Sequence, residues 1–294
     1  MKLRNYPLPL ALAATLLAGS AHAAIENANN TTQGNSSVIF VAIDVNSNIG
    51  LTLDLGLRMS DFTNSNSLTS GLTSPLTWDF AANTTDAPVT GSNGWTAAYE
   101  AFKAAQAGDD FLWGVVAADQ ITGTSITATN AIIGRGLLAT GNVTVDEMLA
   151  ANTSTPTGTG IGNFINFVAA SNNFGNHSTV ANGASTTTAS DGAAWLPDLM
   201  GGTFGGGALT WSYLIANGVS STFQWQQQLV ANPVVQQFGN PTTTDALSPA
   251  PINFTFDIAT NQLVLSPVPE PGTYAMLLAG LGAMGFMVRR RNRG

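Results

Sequence analysis

One histidine and no cysteine stand between Ala24 and Pro267, and this bounds the chemistry open to that part of the chain. Without cysteine there is no thiolate nucleophile. A zinc site would have to combine His177 with carboxylates, an uncommon donor set. A Ser-His-Asp triad would also depend on His177, which lies in Asn176-His177-Ser178, and no serine sits in a nucleophile-elbow pattern. We read His177 as a solvent-exposed loop residue. A secreted hydrolase would need the opposite, a histidine buried beside a serine, or two carboxylates facing each other in a pocket.

Two pairs of carboxylates are adjacent in sequence, Asp109-Asp110 and Asp146-Glu147. Neighbouring side chains usually point apart, and each pair has a structural role. The first stands in a turn ahead of an apolar run. The second belongs to Thr144-Val145-Asp146-Glu147, a capping box whose acids favour the first turn of a helix. Oxygen ligands recur at every second residue in Asp44-Val45-Asn46-Ser47-Asn48-Ile49-Gly50, as they do in calcium loops. The glycine falls one place late for an EF-hand, and Leu55 stands where the bidentate glutamate belongs. A hairpin turn is the reading we adopt, with Asp44, Asn46 and Asn48 as the calcium candidate. No catalytic residue, resident metal or cofactor is assigned. Of the tryptophans, Trp113 and Trp211 sit in apolar strands and are expected in the core. Trp195, in Asp191-Gly192-Ala193-Ala194-Trp195, is the one expected to be exposed and able to stack on a sugar.

The elements that would carry these residues are mostly short strands. Ser37 to Ile43 is a β run, and Leu51-Thr52-Leu53-Asp54-Leu55 alternates with period two, so a hairpin joins them. Leu76 to Phe80, Phe111 to Ala117 and Gly136 to Ala139 read as further strands. Trp95 to Ala107 has helical spacing through Tyr99 and Phe102, with Gly108 as its stop. Ile161, Phe164, Ile165 and Val168 mark a second helix. Residues 172–203 read as loop. Leu209 to Ile215 and the run from Phe223 alternate as strands. Ile252, Phe254, Phe256 and Ile258 alternate clearly, turn at Ala259-Thr260-Asn261, and return from Gln262 to Ser266. The expected fold is mainly β, a β-sandwich-like domain with a few helical insertions.

Charge narrows the partners. Excluding the first and last stretches, the domain holds sixteen acids against Arg58, Lys103 and Arg135, a net charge of −13. Nucleic-acid binding needs clustered Lys/Arg to displace counterions, so that class is excluded.

The two ends carry targeting patterns. Lys2 and Arg4 precede an apolar stretch from Leu8 to Ala18, and small residues Ala21 and Ala23 follow. This is the layout of a signal peptide, residues 1–23, cleaved after Ala23. At the other end, Val268, Pro269, Glu270 and Pro271 precede an uncharged run from Thr273 to Val288. The cluster Arg289, Arg290, Arg291 and Arg293 follows. As a helix the run would be ~24 Å long, and snorkelling arginines and local thinning let it span a bilayer. The arginines would stay cytoplasmic.

Val268-Pro-Glu-Pro271, an apolar helix and an arginine cluster, in that order, resemble the PEP-CTERM sorting tail. The resemblance implies a substrate of an inner-membrane exosortase that cleaves near the Pro-Glu-Pro element. It also implies a Gram-negative producer of exopolysaccharide. Ile39 to Asp44 with Leu53 to Leu57, and Phe111 to Asp119, are similar to segments shared by a subgroup of such proteins, which brings no known activity. The domains expected are therefore 1–23 signal peptide, 24–266 β-rich extracellular domain, and 267–294 sorting tail with a single transmembrane helix. The expected function is a non-enzymatic exported protein of the surface or exopolysaccharide matrix of a biofilm. Its partners would be the exosortase, the export machinery, transiently the inner membrane, and exopolysaccharide. The alternatives are a carbohydrate- or calcium-binding adhesin module and a secreted hydrolase.

Overall fold

The computed structural model describes residues 24–26, 36–63, 68, 72, 74–106, 108, 110–120, 135–141, 156–195, 214–228, 233–237, 252–267, 279–281 and 284. In these the chain forms twelve strands: β1 Ser37–Asp44, β2 Ile49–Arg58, β3 Leu76–Asp79, β4 Thr84–Thr85, β5 Leu112–Gln120, β6 Arg135–Thr140, β7 Ala184–Thr187, β8 Ile215–Ala216, β9 Ser220–Gln228, β10 Pro233–Gln237, β11 Ile252–Asp257 and β12 Gln262–Pro267. The helices are α1 Ser60–Thr63, α2 Thr96–Ala105 and α3 Pro156–Ser171, with a 3-10 helix at Ala189–Ala194.

The strands join in one antiparallel sheet of order β4-β3-β12-β11-β9-β6-β5-β1-β2-β7, with β10 beside β9 and β8 beside β5. The expectation of a two-sheet sandwich is corrected here, while its mainly β character stands. The physical reason lies in β9. Its first residues, Ser220 to Thr222, pair with β11, and Phe223 to Gln228 pair with β6 on the way to the other half. One strand thus belongs to both halves, so the sheet curls as a half-barrel instead of breaking in two. The curl brings β1 over β11: the Phe40 and Phe256 rings lie 4.8 Å apart, and Trp113 of β5 meets Phe256 at 6.0 Å.

Period-two alternation builds the concave core. Ile252, Phe254 and Phe256 are buried while Asn253, Thr255 and Asp257 between them are half-buried. α2 closes this core by laying Tyr99 and Phe102 against Phe80, Phe256 and Phe111. Strand β1 is buried at every residue. Val38, Phe40 and Ala42 face the concave core, and Ile39, Val41 and Ile43 face a second core completed by Phe164, Phe167 and Val168 of α3. A strand covered on both faces reads as a continuous apolar run, which is what Val38 to Ile43 is.

Candidate functional site

Two buried polar clusters lie on the flank of β2. The first arises from a bulge. Val38 pairs with Leu57, but Ile39 pairs with Asp54, so Leu55 and Gly56 are extra residues opposite β1. Gly56 has φ +74°, a conformation that costs other residues a Cβ clash. A bulge takes backbone groups out of the ladder, and they must find other partners. Here two indoles supply them: Trp95 Nε1 donates to the Asp54 carbonyl at 2.8 Å, and Trp78 Nε1 donates to the Leu55 carbonyl at 3.1 Å.

The Asp54 side chain enters a chain of hydrogen bonds. Oδ1 accepts from the Gly56 amide at 2.9 Å, and Oδ2 accepts from Ser37 Oγ at 2.8 Å. Ser37 Oγ in turn accepts from Arg58 Nη1 at 2.6 Å and from the Glu26 amide at 3.0 Å. Arg58 also lies 3.8 Å from a Glu26 carboxylate oxygen. Burial pushes the Asp54 carboxyl up to about 6. The Gly56 amide, Arg58 and Ser37 pull it down less strongly.

The second cluster corrects an expectation. His177 is 0% exposed, not a solvent-facing loop residue, and its Nε2 lies 3.0 Å from Ser185 Oγ, itself 1% exposed. Ser185 stands on β7 opposite Thr52 of β2. Burial lowers the imidazole pKa to about 4, against a backbone hydrogen bond of Thr52 that raises it. His177 is therefore neutral at pH 7. Nδ1 makes no hydrogen bond and packs against Gly183, where an added Cβ would come within 2.9 Å of it. A proton on Nε2 lets the ring donate to Ser185 and leaves only a lone pair unpaired. In a triad an acid orients Nδ1 and the serine is open to substrate. Here Nδ1 has no acid, and Ser185 lies under the sheet edge.

Trp195, expected to be exposed, is 5% exposed. The 3-10 helix before it has a capping box between Thr188 and Asp191 and turns the indole onto β2, where a Cβ at Gly50 would lie 3.2 Å from its ring. The calcium candidate is a hairpin turn. Asp44, 2% exposed, accepts the Ser47 amide on Oδ1 at 3.0 Å, and Asn48 Oδ1 accepts the Ala189 amide at 2.9 Å. Those oxygens are spent on backbone, and Asn46 faces solvent. Among the described residues no three His, Cys, Asp or Glu side chains gather as metal ligands would.

Ala21, Ala23, Asp109, Asp146, Glu147, Trp211, Val268, Pro269, Glu270, Pro271, Arg289, Arg290, Arg291 and Arg293 lie outside the described residues. Of the apolar tail, residues 279–281 and 284 are helical, and among the described residues no helix is long and apolar enough to cross a membrane. The sequence reading missed the Asp54 cluster. Its signal was the apolar run of β1: a strand buried on both faces also buries the second phase of its neighbour, Thr52 and Asp54.

The last strand hands the chain directly to its tail, since Pro267 pairs with Ile252 as the final residue of β12. The segment that begins there defines an exported protein sorted by exosortase, processed in transit at the membrane. Residues 267–291 match the PEP-CTERM protein-sorting motif. No curated protein and no solved structure matches the chain.

Proposed function

We propose that the chain is a non-enzymatic protein of the cell surface or of an exopolysaccharide, biofilm-associated matrix. It reaches that place after transient anchoring in the inner membrane. The observation that carries the reading is the sorting motif at 267–291, which begins on the last residue of the sheet. Two features support the non-enzymatic part. The one histidine of the domain is spent inside the fold, and its serine neighbour has no route to substrate. The second phase of β11 carries Thr255 and Asp257, short polar groups left partly exposed that suit a hydrated polymer. An exposed Trp195 and a calcium loop at Asp44 would have favoured the adhesin alternative, but Trp195 is buried and Asp44 Oδ1 accepts a backbone amide.

The test is intact mass and fractionation of the native protein with and without its exosortase. A released form ending near Pro269, and a full-length membrane form in the mutant, support the reading. Full-length protein in the inner membrane of both strains would sink it.

A further inference from the structure

The residues that follow the expected leader cleavage site are built into the domain. Ile25 is 2% exposed and belongs to the second core, with Ile39, Val41, Phe164, Phe167 and Val168. One side chain holds both of its backbone polar groups: the Ile25 amide donates to Asn172 Oδ1 at 2.8 Å, and Asn172 Nδ2 donates to the Ile25 carbonyl at 3.0 Å. An asparagine amide here stands in for a neighbouring strand. Glu26 continues the pairing, its amide on Ser37 Oγ and its carbonyl accepting the Ser37 amide at 3.2 Å. Its carboxylate lies beside Arg58, one of three bases between Ala24 and Pro267. Backbone, apolar side chain and charge are thus each read separately, which is how a bound peptide is recognised.

We propose that this seat receives the chain end created by leader removal, so that cleavage after Ala23 precedes and permits the last step of folding. The inference rests on the proposed export of the chain with a cleaved leader. The order follows from geometry. A peptidase must hold several residues on both sides of the bond it cuts in extended form. Ile25 is the second residue past that bond, and in the seat its side chain and both backbone groups are already engaged. The peptidase and the seat therefore compete for the same residues. While the leader is attached to the membrane, the seat stays unfilled and the β1–α3 face of the sheet lacks its cover. Once cut, Ile25 and Glu26 dock and close it.

The experiment uses the full chain, exported, in four forms: the parent, Ile25→Asp, Asn172→Ala, and a leader-retaining form with Ala21 and Ala23 replaced by large residues. N-terminal sequencing reports cleavage, and hydrogen-exchange mass spectrometry reports protection of Ser36–Asp44 and of α3. The parent is expected to begin at Ala24. Ile25→Asp and Asn172→Ala are expected to be cut as the parent is, yet to exchange faster in both segments. For Ile25→Asp the increase is on the order of a hundredfold, because a buried aliphatic group is lost from one local unit. The leader-retaining form should exchange like Ile25→Asp. Full protection in that form overturns the coupling, as does unchanged protection in Ile25→Asp. A parent that begins downstream of Glu26 overturns the seat. A parent that keeps its leader fails the export reading itself, and is told apart by its N-terminus.

Discussion

His177 Nε2 and Ser185 Oγ face each other at 3.0 Å, and both residues are buried on the flank of β2. The pair looks like half of a hydrolase centre, but its surroundings give it another task. The hydrogen bond fixes the loop ahead of β7 to the strand, and the imidazole fills the space that Gly183 leaves open. Ser185 should therefore resist a fluorophosphonate probe in the native protein. Ser185→Ala should cost about 0.5–1.5 kcal/mol of stability, because one hydrogen bond of the buried imidazole is lost while its backbone bond to Thr52 remains. Labelling of Ser185, detected by peptide mass spectrometry, would reopen the hydrolase reading.

Asp54 and His177 should push the pH dependence of stability in opposite directions. The folded pKa of Asp54 is raised from 3.8 to about 6, so its contribution is complete below 3.8 and is lost as pH rises through about 6. The folded pKa of His177 is lowered from 6.5 to about 4, so its contribution is complete above 6.5 and is lost as pH falls through about 4. Each effect is on the order of 3 kcal/mol. Urea unfolding of Asp54→Asn should show less gain than the parent between pH 7 and pH 4, and His177→Gln should show more. The comparison with the parent at each pH removes the background from the other acids. Parallel curves for all three proteins would mean that neither group titrates inside the fold.

Two left-handed glycines separate strain from collision. Gly175 has φ +59°, and a Cβ there would overlap the Ala184 carbonyl oxygen. Gly108 has φ +88° with nothing within 4 Å. Gly108→Ala should cost only the backbone penalty, about 1–2 kcal/mol. Gly175→Ala should add the collision with β7 and cost about 4 kcal/mol or more. Thermal unfolding of the two variants measures the difference directly. Equal losses would mean that β7 lies further from Gly175 than it does here.

Much of this architecture was legible in the spacing of apolar residues. The β1–β2 hairpin, α2, α3 and the β11–β12 hairpin each follow from periodicity plus a turn or stop. Two things were not legible. Closure was one, because nothing in Phe223 and Trp225 says that β9 will pair with both halves of a sheet. Burial of polar residues was the other. His177 and Trp195 lie in a stretch rich in Asn, Ser, Thr and Gly, and such composition usually marks solvent. Here short side chains do the reverse and let loops pack closely. Asn176 bonds to Gly94 and Ala184, and Asn182 to Thr90 and Asn93, tying the segment ahead of β7 to the one ahead of α2. Local sequence records the polarity of a residue, whereas burial depends on which distant segment arrives to cover it.

The junction between sheet and tail gives the last prediction. Pro267 is at once the final residue of β12 and the first of the sorting motif, so no free linker separates folded domain from processing signal. A residue of extended chain spans at most ~3.6 Å, so Pro269 and Glu270 can lie no further than ~11 Å from the end of β12. We predict that recognition depends on the local Pro-Glu-Pro element, and stability on the strand beside it. Glu270→Ala should leave the unfolding temperature unchanged and accumulate full-length protein at the membrane. Leu265→Ala removes a fully buried side chain from β12 and should cost about 2–5 kcal/mol, yet the chain should still be processed. Intact mass of the released and membrane fractions, with thermal unfolding of each, separates the two. Loss of processing in Leu265→Ala would mean that the exosortase reads the edge of the folded sheet as well as the motif.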